Sequence, residues 1–447
     1  MFLMSDALLP RKDPAIGPGS RPQDSGIAIR RSLVGPTRFA MGLLLCHIVL
    51  EYLRPQTFWP PLGALQLPGV ALALLLIVTI PRVLNGSARI AGQTWLLLGF
   101  VALSGLSALY AANWFRAYKF TYTVAVTMIG FLAIAYLLRD PRDFKKLLAV
   151  LVVIHVYLSF GGILAFLHTQ YNDVGYASTG YVGGGFLKDE NDFALAINVI
   201  LPFALYLAVQ ARSGVPRLLW RGASAVLVLT SVFTFSRGGF VGLAAMAIYW
   251  VIISQRRQLA ILALISGIIL VAVVAPPQYW DRISTIAATD QGTAWERQSL
   301  WAAARGMFYD SPIWGVGANN FGIHVPNYGL DFAPEMRENL WGKAVHSMYF
   351  QLLAEFGIVG VVLIGSTLVL NFRCLSQVVR LSKRGDVVAS LGLLASSLQA
   401  SWVGFLVSAT FLSVLDFPHL YYLTGLTVAS HRMAVEQARG ENPTGLR

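Results

Sequence analysis

The residues of this 447-residue chain that could do chemistry are a histidine, a few arginines and a small group of carboxylates. His346 stands in Ala344-Val345-His346-Ser347-Met348-Tyr349, at the start of a long apolar stretch. An imidazole with a pKa of about 6.5 can take a proton from a hydroxyl at neutral pH. A hydrogen-bonded interfacial histidine is the plainer alternative. Arg237 lies in Ser236-Arg237-Gly238-Gly239, at the outer end of one apolar run and just before the next. A guanidinium there can grip a lipid phosphate through two parallel hydrogen bonds, or it can snorkel and anchor a helix end. Arg297 and Arg305 fall in a stretch of helical spacing from Glu296 onward, and Arg297 shares a face with Trp301, four residues on. A tryptophan beside an arginine can stack on it or offer a platform to a sugar ring; solvated cations on an amphipathic surface helix are the alternative. Arg116 and Lys119, in a short outer turn, could add charge to the same site or anchor helix ends.

Asp189, Glu190 and Asp192 form the one carboxylate cluster visible in the sequence. They could ligate a hard cation through oxygen, but a turn that caps the following helix accounts for them as well. There is no Asp-x-Asp, His-Glu-x-x-His, P-loop or dinucleotide-binding glycine pattern, so neither a metal nor a cofactor is expected. Glu355 follows His346 by nine residues, about 13 Å of helix. That places it within the bilayer, where a carboxylate is costly and needs a partner. Cys46 and Cys374 suggest neither a disulfide framework nor a zinc site.

These residues need elements to hold them. The chain is 56% hydrophobic and 13% charged, with a mean hydropathy of +0.61. A soluble domain has about a quarter charged residues, so the composition excludes an ordinary soluble enzyme or a disordered chain and predicts an all-α polytopic membrane protein. Twelve apolar segments are predicted to span, near 37–53, 62–80, 91–112, 119–138, 147–168, 193–211, 218–235, 239–254, 258–276, 347–371, 388–412 and 417–431. Residues 1–36 read as a disordered basic tail and 432–447 as a second tail. Two outer segments are too long for turns: 169–192, and 277–346 between spans 9 and 10. With both ends cytoplasmic, inner segments carry 24 of the 34 Lys and Arg and every inner loop is basic, as the positive-inside rule requires. The net charge of +12 is therefore an orientation signal, and no nucleic-acid partner is expected.

Three segments in order carry a resemblance. They are Phe235-Ser236-Arg237-Gly238-Gly239; Arg297-x-x-x-Trp301 followed by Asp310-Ser311-Pro312-Ile313-Trp314-Gly315-Val316-Gly317-Ala318-Asn319-Asn320-Phe321; and His346-Ser347-Met348-Tyr349 running on to Glu355-Phe356-Gly357-Ile358-Val359-Gly360. Over about 185–365 the chain resembles the bacterial O-antigen ligase family, which also includes O-antigen and exopolysaccharide polymerases and pilin-type oligosaccharyltransferases. The family often has asparagine after the histidine; here Ser347 stands there.

The resemblance implies a GT-C-like glycosyltransferase of the bacterial inner membrane, with its active site facing the periplasm. The donor would be a glycan on undecaprenyl pyrophosphate, and the acceptor the lipid A core or a growing polysaccharide. His346 would be catalytic. Arg237 and Arg297 would contact the diphosphate, with Arg305, Arg116 and Lys119 as further candidates. Trp301 and Tyr349 would touch acceptor or sugar. A single in-line attack inverts the anomeric centre. A retaining route would need a nucleophile such as Asp189, Glu190 or Asp192, or less readily Asp331, Glu335 or Glu338. A polymerase of the same family and a lipid-linked glycan flippase remain the alternatives.

Overall fold

A computed structural model describes residues 34–84, 90–168, 187, 189–254, 257–275, 277–284, 292–329, 338–385 and 387–440. The expected basic tail up to residue 33, the tyrosine- and glycine-rich stretch 169–186, and the carboxylates Asp331 and Glu335 lie outside them, as does the side chain of Glu338. Met1–Phe39 forms a unit of its own, and the account below concerns the other, Ala40–Arg447.

The described residues are helical throughout, with no strand among them. The main helices are α1 (Val34–Leu53), α2 (Leu67–Leu84), α3 (Gly92–Ser107), α4 (Trp114–Leu137), α5 (Pro141–His168), α6 (Glu190–Gln210), α7 (Gly214–Phe233), α8 (Arg237–Ile253) and α9 (Arg257–Val274). After them come α10 (Pro277–Ser284), α11 (Gly292–Asp310), α12 (Phe321–Tyr328), α13 (Met348–Arg384), α14 (Ala389–Ser408) and α15 (Pro418–Ala438). Each of the twelve apolar segments coincides with one of these helices. Among the described residues six helices are long and apolar enough to cross a membrane, and Gly92–Ser107, Arg237–Ile253 and Ala260–Val274 are shorter apolar helices. α2 and α9 turn large apolar side chains outward, Ile77 and Val273 among them. Rows of this kind are costly in water and at home in lipid. The protein is a helical membrane protein.

α6 is the most enclosed candidate span and packs on α5, α7, α8 and α14. Small residues allow this. A Cβ on Gly239 would collide with Ala194 of α6, and one on Gly242 with Ser408 of α14. The Asn198 amide, fully buried on α6, donates to the Gly239 carbonyl at 2.8 Å and to Ser408 Oγ at 3.1 Å. The sequence placed Gly238 and Gly239 in a turn before the eighth span; they belong instead to the first turn of α8, with Ser236 as its N-cap. The polar residues of the first span also find partners, since His47 and Glu51 both bond the Tyr422 hydroxyl of α15. Interhelical bonds of this kind make polar side chains tolerable inside a bundle.

α13 is not one continuous rod. Gly357 adopts φ 55° and ψ −156°, which breaks the helix after Phe356. Both sides of the break are satisfied by the segment Pro312–Gly317. Val316 and Gly317 donate to the carbonyls of Ala354 and Glu355 at 2.8 and 3.0 Å, and Ile358 and Val359 donate to those of Pro312 and Ile313. Gly315, at φ 69°, lies so close that an added Cβ would sit 2.5 Å from Phe356 N and 2.6 Å from Ala354 O. Neither atom can move without undoing the break. We therefore expect Gly315→Ala to cost about 2–5 kcal/mol, from a left-handed alanine and overpacking together. The check is the melting midpoint of the purified protein, with Gly365→Ala, which meets nothing within 4 Å, as the tolerated control.

Candidate active site

The long loop 277–346 builds its own small core where it is described. Leu300, Ala303, Ala304 and Met307 form one buried stripe of α11 at helical spacing, closed by Phe321 and Val325 of α12 and by Leu340, Val345 and Ala354. The stripe fixes where the cations of α11 go. Arg297 sits one turn before Leu300, beside the buried stripe, and is half-buried. Arg305, eight residues on and about 80° further round the helix, is exposed. The two arginines do not share a site by helical phase.

His346 ends the loop just before α13 and has φ 50°. A left-handed non-glycine residue costs about 1–3 kcal/mol and persists only where its surroundings impose it. Two bonds impose it here. The His346 N–H donates to Ser413 Oγ at 3.1 Å, and the Trp301 indole N–H donates to the preceding Val345 carbonyl at 3.0 Å. Trp301 is itself held by stacking on Phe350, with ring centroids 5.2 Å apart. One face of the predicted sugar platform is thus covered, and Trp301 acts on the backbone of the histidine. Phe235 and Asn319, at φ 52° each, are two further left-handed residues, and both lie in the segments that converge here.

Burial lowers the His346 pKa below its ordinary value, and the Arg297 charge lowers it further; Asp189 and Glu296 oppose this, and Lys343 adds a smaller lowering. These groups are therefore its electrostatic neighbours. Lys343, which sequence reasoning passed over, is paired with Glu296 at 2.8 Å. As a lone lysine in a loop, it gave no pattern to find it by.

Asp189 is the N-cap of α6 and accepts from Asn191 N at 2.8 Å, with Glu190 and Asp192 in the first turn. The helix-capping reading of this cluster is what the geometry shows. Ser236 Oγ donates to Asn191 Oδ1 at 2.7 Å and accepts from Gly239 N at 2.9 Å. This ties the Arg237 helix start to the acidic turn whose Asp189 charge acts on His346. Among the described residues no three His, Cys, Asp or Glu side chains group as a metal site requires.

The turn between α14 and α15 supplies two residues that the sequence did not single out, Ser413 and Asp416. Burial pushes the Asp416 carboxyl up to about 6, and its charge bears on both Asp192 and Glu355. An acidic residue in a short outer turn was the available signal. Glu355, 2% exposed, accepts from Phe321 N at 3.3 Å and from the Gln351 amide at 3.2 Å, and it also bonds the Asn319 backbone. It lies beside the helix break and holds the loop, so its distance from His346 is no measure of depth in a bilayer.

The remaining candidates make contacts of their own. Arg116, on α4, stacks over Trp341 at 4.9 Å. Lys119 places its ammonium 4.5 Å from the Phe115 ring. Tyr349 donates to the Leu406 carbonyl at 2.9 Å and leaves its ring 37% exposed. The run from Asp310 to Phe321 serves as a clasp: Asn320 exchanges bonds with the Asn113 backbone, Ser107 Oγ accepts from Ala318 N, and Tyr110 donates to the Trp314 carbonyl.

No curated protein matches the chain. Residues 222–365, which include Arg237, Arg297, His346 and Glu355, match the family model described as O-antigen ligase, so this region of the chain is similar to that family.

Proposed function

We propose that the protein moves a glycan from undecaprenyl pyrophosphate to an acceptor hydroxyl at the periplasmic face of the bacterial inner membrane, as an O-antigen ligase-type, metal-independent, inverting transferase with twelve spans and both termini cytoplasmic. The observation that carries this reading is a histidine in strained, doubly fixed backbone, with Arg297 the cation that acts on it most strongly and the Arg237 helix start tied to the Asp189 turn.

His346, neutral because burial and Arg297 disfavour its charge, takes the proton of the acceptor hydroxyl. The freed oxygen attacks C1 of the donor sugar. The bond from C1 to the phosphate oxygen breaks, and the lipid diphosphate leaves with the electron pair. Arg297 and Arg237 meet the charge that develops there. Preorganised guanidinium groups do this without a metal, so excess EDTA should leave the transfer rate of the purified protein unchanged. A tenfold loss restored by added magnesium would overturn that part of the reading. Arg305, on the exposed side of α11, is expected to tolerate alanine with less than a threefold change in rate.

The deciding experiment supplies purified protein with a lipid-diphosphate glycan and an acceptor, and measures free undecaprenyl pyrophosphate. A flippase would move the donor with its sugar–phosphate bond intact and release none. In a deletion strain, long glycan left on the carrier lipid marks a ligase, and single-repeat glycans mark a polymerase.

A further inference from the structure

Beside the His346 backbone lies a polar cavity of about 80 Å³ whose walls include Arg116, Lys343, Gln351, Glu355 and Ser413. It shares Ser413 and Val345 with the histidine cradle, while neither Arg237 nor Arg297 lines it. Gln351 makes it more than a gap between elements. Its side chain is 94% buried by the 6% that remains exposed, its amide nitrogen donates to Glu355, and its Oε1 has no partner. A buried carbonyl without a donor is unfavourable, and this one borders a cavity that a ligand can enter. The partner it calls for is an O–H or N–H group.

At the mouth stand two cations of different standing. Arg116 lies over Trp341, 4.9 Å from its ring centroid; Trp341 is 61% exposed and presents a broad aromatic surface. Lys343 reaches Glu296 on its outer side. The volume suits one substituent of a sugar or a few waters at about 30 Å³ each; a whole hexose would have to rest its ring outside, against the aromatic rim.

Resting on the function proposed above, we infer that this cavity is the acceptor subsite and takes a sugar that is both hydroxylated and acidic. One non-reacting hydroxyl donates to Gln351 Oε1, the acid group pairs with Arg116 and Lys343, and the ring lies on Trp341. The division of charges supports the assignment. Arg237 and Arg297, proposed above to meet the diphosphate, lie outside the cavity, whereas Arg116, a further diphosphate candidate by resemblance, lines it and is reassigned here to the acceptor. The sugar whose hydroxyl gives up a proton must lie near His346, and this cavity adjoins the His346 backbone through Val345 and Ser413.

The test is ligand-induced thermal stabilisation of the purified full-length protein, with glucuronate, glucose 6-phosphate, glucose and inorganic phosphate as probes. Both acidic sugars should stabilise it, at lower concentration than glucose, and phosphate alone should not; the two acidic sugars separate a carboxylate preference from a phosphate preference. Gln351→Leu and Arg116→Gln should each weaken acidic-sugar binding at least ~10-fold, the loss of one charge-assisted or buried bond. Arg116→Gln tests the site without disturbing the Gln351–Glu355 pair. Overturning results are stabilisation by phosphate alone, equal response to glucose and glucuronate, or wild-type binding in both variants. His346→Asn separates this inference from the function. If that variant binds acidic sugar but cannot transfer, both readings stand. If it cannot transfer and the wild type binds no acidic sugar, the subsite fails and the function stands. If it transfers normally, the proposed function fails.

Discussion

His346→Asn is expected to lower the transfer rate by about 10²–10⁴-fold, the range a positioned general base supplies, while leaving the protein folded. Asparagine is the informative replacement because it tolerates the left-handed backbone that His346 adopts at φ 50°. The main-chain bond to Ser413 Oγ does not depend on the side chain, so the cradle survives the substitution. What is lost is the ability to accept a proton. Transfer within tenfold of wild type would remove His346 from the mechanism.

The pH profile adds a signed test. The base must be neutral to act. Burial and Arg297 lower the His346 pKa, so its neutral form dominates at pH 7 and activity should fall only as pH drops through a value below the ordinary one of about 6.5. Arg297→Gln removes a charge that disfavours the imidazolium, so the acid limb of the remaining activity should move to higher pH. Glu296→Gln removes a charge that favours it and also frees Lys343, so the limb should move to lower pH. Shifts in the same direction for both variants would show that another group sets the limb.

The helices were legible because apolar runs of bilayer length leave the backbone few choices. The α11 stripe was legible in the same way, from the spacing of Leu300, Ala303, Ala304 and Met307. His346, Arg237 and Arg297 were recognisable by type and place. The clasp was not. Nothing in the local pattern of Met348–Arg384 reveals a break, because Gly357 is one of several glycines there and only its pairing with Pro312–Gly317 makes it the hinge. For the same reason Glu355 read as a residue deep in a continuous helix, whereas its partners include backbone groups some 35 residues earlier beside the Gln351 amide. Ser413 and Asp416 were hidden in an ordinary-looking turn whose importance comes from what α14 and α15 bring it against. Trp301 was noticed for its ring, yet the indole N–H and its bond to Val345 carry its part in the site.

Arg297→Ala and Arg237→Ala should each cost about 10²–10³ in rate, the loss seen when one preorganised group that meets developing charge is removed. Lysine should not repair either one. Its ammonium is a point charge and cannot offer the two parallel N–H groups that a phosphate accepts; recovery above about a tenth of wild-type activity in Arg297→Lys would argue for simple charge attraction. Salt dependence decides the same question independently. In the proposed topology the outer segments carry 10 basic and 13 acidic residues, so the face that meets the donor has no positive field to draw an anion from a distance. Screening shortens the range of charge interactions from about 10 Å at 0.1 M salt to about 3 Å at 1 M, and it acts far less on partly buried groups in contact. Arg297 is half-buried beside its helix core, and the Arg237 helix start is fixed by the Ser236–Asn191 bond, so both are held for contact. Affinity for the lipid-diphosphate donor should therefore change less than threefold across that range, and a steep decline with salt would mean that attraction over distance, and not local geometry, gathers the donor.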